Sequence, residues 1–162
     1  PVLAAVNGTT AGGGLELLLC CDLAIAARSA RVGDAHANYG LLPGGGGSAR
    51  LPRRIGIHRA KYMMYTGQLF DSELLQDWGL FIDVVDDEKL LERAAEIAAR
   101  IGSKSPLGLR RMKQLVDDGM EQSLNSALNA ELTMCALHAR SFDQAEGLSA
   151  FNAKRKPVFE GR

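Results

Sequence analysis

Glu16 is a carboxylate set inside an apolar run, Leu15-Glu16-Leu17-Leu18-Leu19, directly behind Gly12-Gly13-Gly14. A lone carboxylate in an apolar helix is either paired or functional, because burying an uncompensated charge is costly. Burial is expected to raise its pKa towards neutrality, as a general acid or base requires. Glycine admits close approach of a ligand to the backbone. The first amides of a helix have no internal partner, so they can donate to a developing oxyanion. Donors of this kind beside an acid/base group suit an enzyme that works on a carbonyl. The competing reading is a solvent-exposed Glu, with glycines that serve only helix–sheet packing.

A second candidate group follows in Gly33-Asp34-Ala35-His36-Ala37-Asn38-Tyr39-Gly40, leading into Leu41-Leu42-Pro43-Gly44-Gly45-Gly46-Gly47-Ser48. Histidine titrates near neutrality and can shuttle a proton. Asp34 is placed to orient or charge His36, provided the segment is a regular strand in which i and i+2 share a face. The alternative is a polar pocket residue that moves no proton. Nucleotide motifs do not fit: no Gly-Lys-Ser or Gly-Lys-Thr follows either glycine run, and Gly44-x-Gly46-x-x-Ala49 is preceded by Pro43 rather than by a strand. His58, near Arg53, Arg54 and Arg59, reads as a solvated basic surface or a phosphate contact. His138 reads as surface or interface, and Trp78 and Met63-Met64 as core or pocket wall. His and Cys share no ligand spacing, so no metal is expected.

The chain has 162 residues and a formal net charge of zero, with 19 Lys plus Arg against 19 Asp plus Glu. That length suits one compact domain with a buried core. The balanced charge provides no basic field for nucleic acid. No apolar run approaches a membrane span. Cys20, Cys21 and Cys135 are odd in number and form no Cys-x-x-Cys, which argues against a disulfide scaffold and for reduced, buried thiols in a cytoplasmic protein.

Hydrophobic patterning places the elements that must position these residues. Pro1 to Asn7 and Leu23 to Ala27 read as buried strands, Arg31 to Gly33 as a short extended piece, and Leu80 to Val85 as a further strand. Helices are expected over Gly12 to Cys21, Ser48 to Gly56, His58 to Thr66 and Ser72 to Trp78. Asp87 to Ile101 carries Leu90, Leu91, Ala94, Ile97, Ala98 and Ile101 at helical spacing, with Asp86 or Asp87 as its cap. From Ser105 the pattern is helical only, over Ser105 to Asp118, Glu121 to Arg140 and Asp143 to Lys154. The expected organisation is an α/β body over residues 1–102 and a helical region over 103–162. The apolar content of that tail calls for a surface to cover.

The stretch Pro1-Val2-Leu3-Ala4-Ala5-Val6-Asn7-Gly8, then Ala11-Gly12-Gly13-Gly14-Leu15-Glu16 and Cys21-Asp22, resembles the enoyl-CoA hydratase/isomerase (crotonase) superfamily. Gly40-Leu41-Leu42-Pro43-Gly44, with Gly46-Gly47 and Arg50-Leu51, fits the second motif of that family. Ala150-Phe151, Lys154-Arg155-Lys156 and Phe159 fit its C-terminus. The match runs over the whole chain but covers only the C-terminal two-thirds of the family length.

The resemblance implies the second part of a crotonase-like ββα spiral, followed by a C-terminal helical oligomerisation region that builds a homotrimer or dimer of trimers. It implies an acyl-CoA enzyme, foremost an enoyl-CoA hydratase, with coenzyme A thioester as substrate and no permanently bound cofactor. Isomerase and CoA-thioester hydrolase are alternatives of the same fold; a catalytically inert subunit is an alternative of another class. Glu16 aligns with the first catalytic glutamate of the hydratases. Gly12, Gly13, Pro43 and Gly44 fall at its oxyanion and substrate positions, with the second oxyanion donor expected on the N-terminal turns of the family fold. Lys154 and Arg155 become candidates for CoA phosphates. One departure stands out: His36 occupies the position where hydratases carry their second glutamate.

Overall fold

The computed structural model describes all 162 residues. The chain divides into two units, one holding Val2–Ala98 and the other Ala99–Arg162 together with Pro1. The division falls inside a helix, a few residues before the expected boundary at Gly102.

In the first unit, successive turns of chain lay one strand into each of two small sheets. The elements are β1 (Leu3–Val6), β2 (Thr10–Ala11), α1 (Gly13–Leu19), β3 (Leu23–Ala27) and β4 (Arg31–Gly33). A 3₁₀ turn (His36–Tyr39) leads to α2 (Gly47–Ile55), α3 (Ile57–Thr66), β5 (Phe70–Asp71), α4 (Ser72–Asp77) and β6 (Asp83–Val85). A 3₁₀ turn over Asp87–Lys89 then opens α5 (Leu90–Gly102). One sheet has the order β1-β3-β6, all parallel, with Leu3 opposite Leu23 and Ile25 opposite Asp83. The other has the order β2-β4-β5, parallel then antiparallel. This is the expected ββα spiral.

Both faces of the parallel sheet are covered, which is why its strands are continuously apolar. Ala4, Val6, Ala24, Ala26 and Val84 face a core closed by Leu15, Leu18 and Leu19 of α1, Leu51 and Ile55 of α2, and Met63 of α3. The alternate residues Leu3, Ala5, Ile25, Ala27 and Val85 meet Leu90, Ala94 and Ile97 of α5. Met63 is fully buried, so it belongs to the core and not to a pocket wall. Trp78 packs on Phe70 at a ring separation of 5.1 Å.

Several local expectations are corrected by tertiary contacts. Helix α1 stops at Leu19 because the Cys20 and Cys21 amides bond the Leu17 and Leu18 carbonyls in a tightened last turn. Cys20 is exposed and Cys21 half-buried, and Cys135 on the later helical part is exposed too, against the expectation of buried thiols. Leu80 and Phe81 are buried but lie outside β6, which begins only at Asp83. Asp86 takes the N-cap position of the 3₁₀ turn that opens α5, but its side chain pairs with Arg28 and Lys89 in place of a cap bond, and Asp87 accepts from the amide and hydroxyl of Ser29.

Gly33 ends β4 directly before Asp34. A Cβ there would overlap the backbone carbonyl of Gln68, which cannot swing aside as a side chain would. Gly33→Ala is therefore expected to destabilise the protein by about 1–3 kcal/mol, as an overpacked position does. Chemical denaturation checks this, with an unchanged midpoint as the contrary result.

The second unit is helical: α6 (Pro106–Gly119), α7 (Leu124–His138) and α8 (Phe142–Asn152). Ser105, Ser123 and Ser141 cap these helices, each accepting from the amide three residues on. Helix α7 begins three residues later than expected, because Ser123 supplies the cap. The buried carboxylate of Asp143 accepts from the Ser105 hydroxyl and from the Glu160 and Gly161 amides, tying the last residues to the start of α6 and α8. No helix is long and apolar enough to cross a membrane.

Candidate active site

Helix α1 carries Leu15, Leu18 and Leu19 at i, i+3 and i+4, and these anchor it to the sheet. Glu16 sits at the edge of that buried face, 8% exposed, and so is turned from solvent without entering the apolar core. Its Oε1 accepts from the Gly45 amide at 2.6 Å and from the Gly47 amide at 3.0 Å. Arg50 Nη1 donates to the Gly45 carbonyl at 2.9 Å and holds the same loop from its other side.

These contacts reverse the expected titration of Glu16. The Gly47 amide, then the Gly45 amide and the charges of His36 and Arg50, outweigh burial and hold the carboxyl below its ordinary value. Burial alone would have raised it. Glu16 is thus held as the ionised carboxylate. The glycine run also has a steric reason. A Cβ on Gly45 would come within 2.9 Å of Glu16 Oε2, and one on Gly47 within 3.1 Å of Pro43 Cβ and 3.3 Å of Glu16 Oε1.

Gly12 precedes α1 with φ 54°, ψ −120°, a backbone conformation that a side chain would strain. Its amide donates to the Asp34 carbonyl at 2.9 Å. Gly13, the first residue of α1, is exposed, and its amide lies beyond reach of the helix's own carbonyls. His36 Nε2 stands 3.7 Å from the position a Cβ on Gly12 would take. The ring is 13% exposed, and its Nδ1 lies 3.1 Å from Asp34 Oδ1. That contact is an ion-pair distance without hydrogen-bond alignment.

His36 therefore lies against the Gly12 turn that opens the helix carrying Gly13 and Glu16. Pro43 and Gly44 lie on the loop that folds over Glu16. The roles of Gly45, Gly47 and Arg50 were missed, because a glycine run does not say which of its amides will point at a carboxylate some thirty residues away. Leu41 and Leu42, also on this loop, are exposed.

Lys154 and Arg155 belong to the second unit. Arg155 also has a partner within the chain: its Nη1 and Nη2 lie 2.6 Å and 2.8 Å from the two carboxylate oxygens of Glu146. Arg155, together with the Val158 amide, holds Glu146 down to about 2. A carboxyl lowered on folding contributes stability above its ordinary value of 4.5 and loses it as pH falls through the folded value. Arg155→Ala is thus expected to destabilise the protein near neutral pH, with the difference from the parent protein vanishing by about pH 2. Denaturation at the two pH values checks this. A pH-independent difference would assign Arg155 a packing role instead. Lys154 is exposed, with φ 53°.

Comparison with known proteins decides the family. The enoyl-CoA hydratase/isomerase family model matches residues 1–162. The chain belongs to the enoyl-CoA hydratase/isomerase family. It is 41% identical over 159 residues to a crotonyl-CoA hydratase of Syntrophomonas wolfei, covering 98% of this chain and 61% of that protein. It is 40% identical to a 1,2-epoxyphenylacetyl-CoA isomerase of Escherichia coli, covering all of this chain and 62% of that protein. The crystal structure of an enoyl-CoA hydratase from Bacillus anthracis superposes with a TM-score of 0.98 at 40% identity, over all of this chain and 63% of that one. The chain thus spans about three-fifths of the length of these family members.

Proposed function

We propose that the protein adds water reversibly to a 2-enoyl-CoA thioester. The observation that carries this reading is the ionised Glu16, clasped by the Gly45 and Gly47 amides and under the charge of His36, which lies against the Gly12 turn. The hydratase and isomerase relatives support the substrate class.

Glu16 takes a proton from water as the water oxygen bonds to the β-carbon of the enoyl group. The double-bond electrons move onto the thioester oxygen, where the Gly13 amide is one donor to the enolate. Protonated His36 gives its Nε2 proton to the α-carbon, and the enolate returns to a thioester. The proton on Glu16 then passes to His36, which resets both groups. The net change is one water added across the double bond, with no cofactor consumed.

A second reading, isomerisation with Glu16 as the single base, is favoured by the imidazole at the position where hydratases carry a carboxylate. Crotonyl-CoA separates the two. Loss of the enoyl-thioester absorbance, with heavy-oxygen water incorporated into a 3-hydroxyacyl product, supports hydration. Isomerisation of a 3-enoyl-CoA without oxygen uptake supports the single base. Turnover of neither sinks both and leaves the inert subunit.

The assembly we infer is a trimer or dimer of trimers. Its support is the apolar surface of α7, where Leu124 and Leu132 are 73% and 69% exposed. Sedimentation is expected to report a multiple of three, and a stable monomer at micromolar concentration contradicts it. Lys154 and Arg155, both exposed, are the cations we assign to a CoA phosphate. Three free thiols accord with a cytoplasmic location.

A further inference from the structure

Asp34 is fully buried at the end of β4, and its Oδ2 accepts no hydrogen bond. A buried carboxylate needs a compensating charge or donors. Its ion-pair partner is His36, at 3.1 Å. The geometry that joins them is not that of a strand. Ala35 adopts φ 60°, ψ −8°, a left-handed conformation that is strained for alanine. The chain thereby reverses, and Asp34 Oδ1 accepts from the His36 amide at 3.3 Å. This Asx turn swings the imidazole back over the carboxylate. The Asp34 carbonyl meanwhile holds the Gly12 amide at 2.9 Å. One residue therefore fixes the glycine turn with its backbone and the imidazole with its side chain.

We propose that Asp34 is a positioning residue that keeps the His36 proton on Nδ1 and so confines proton exchange to Nε2, the nitrogen facing the Gly12 turn. Its catalytic consequence rests on the hydration reading above. In the neutral ring, Nδ1–H donates to Asp34 and the Nε2 lone pair is open. In the protonated ring, Nδ1–H stays in place and the second proton, on Nε2, is the one delivered. The 3.1 Å separation brings Nδ1 and Asp34 Oδ1 within hydrogen-bonding distance with no substrate present, short only of alignment. The other charges of this site are Glu16 and, beside Glu16, Arg50. Helix α3, packed against the 3₁₀ turn, carries His58, Arg59 and Lys61 at exposed positions.

Nitrogen NMR of the histidine rings tests this without substrate. The His36 signals are identified by their loss in His36→Gln. A neutral imidazole in water favours the Nε2–H form, so the expected Nδ1–H form in the parent protein is diagnostic. Asp34→Asn should shift the population towards Nε2–H, and Asp34→Glu should retain part of the Nδ1–H form. An Nε2–H ring in the parent protein overturns the proposal with no variant needed, which covers the case in which Asp34→Asn fails to fold. Identical tautomers in the parent and Asp34→Asn overturn it as well. In the hydration assay, Asp34→Asn should lower kcat by roughly tenfold to a thousandfold and change KM far less. An Nδ1–H ring in a protein that hydrates nothing leaves the Asp34–His36 pair standing and removes the hydration reading alone.

Discussion

Glu16→Gln is expected to lower turnover of a 2-enoyl-CoA by about two to four orders of magnitude, the usual contribution of a positioned acid/base group. The substitution is a clean one here. Both backbone donors, Gly45 and Gly47, bond a single oxygen of Glu16, and the carbonyl oxygen of Gln can accept them in the same place. Shape and loop closure are kept, and only the proton-accepting oxygen is lost. KM should therefore change little, while kcat and kcat/KM fall together. Because the two amides hold Glu16 below the ordinary carboxylate value, the loss of activity on acidification that Glu16 causes should lie below pH 4.5. Steady-state rates of the two proteins across pH decide the matter. An unchanged rate in Glu16→Gln removes it from the chemistry.

His36→Gln should also lower kcat, by roughly two to four orders of magnitude, if the imidazole protonates the α-carbon. A silent His36→Gln beside a dead Glu16→Gln would make the reaction a single-base one. Comparison with the hydratase motif suggests His36→Glu as a rescue, and the structure modifies that expectation. Glu at position 36 would meet the buried Asp34, and two carboxylates sharing one site cannot both ionise. The single variant should recover part of the hydration rate. Asp34→Asn combined with His36→Glu should recover more, because the like-charge contact is gone. A double variant no faster than His36→Gln would count against His36 occupying the second acid/base position.

Much of this site was legible in the sequence because its signals are local. Glu16 stands out by being charged among leucines, and the glycines before it mark a turn in which close backbone approach matters. The strand Leu23–Ala27 and the helices on either side of Gly56 were read nearly residue for residue, since apolar runs and a helix-breaking glycine act within a few positions. The two-residue strands β2 and β5 were not, because they exist only through pairing with β4. The same limit applies to the thiols. Composition predicts burial for cysteine, but the early end of α1 leaves Cys20 exposed.

The sequence by itself determined the order of the longer strands and the helices, the candidacy of Glu16 and His36, and the resemblance to the crotonase family. Each of these follows from periodicity, residue type or fixed spacing along the chain. Only the tertiary structure decided their chemical states. Glu16 is lowered and not raised because amides 29 and 31 residues away converge on one oxygen, and hydrogen bonds to a carboxylate outweigh its desolvation. Asp34 meets His36 through a left-handed turn at Ala35, where strand alternation had offered the only sequence-level reason for contact. Arg155 is committed to Glu146, nine residues back, and a basic run in the sequence gives no sign of it. Charge, burial and hydrogen bonding depend on which groups meet in space, and one-dimensional spacing does not report that.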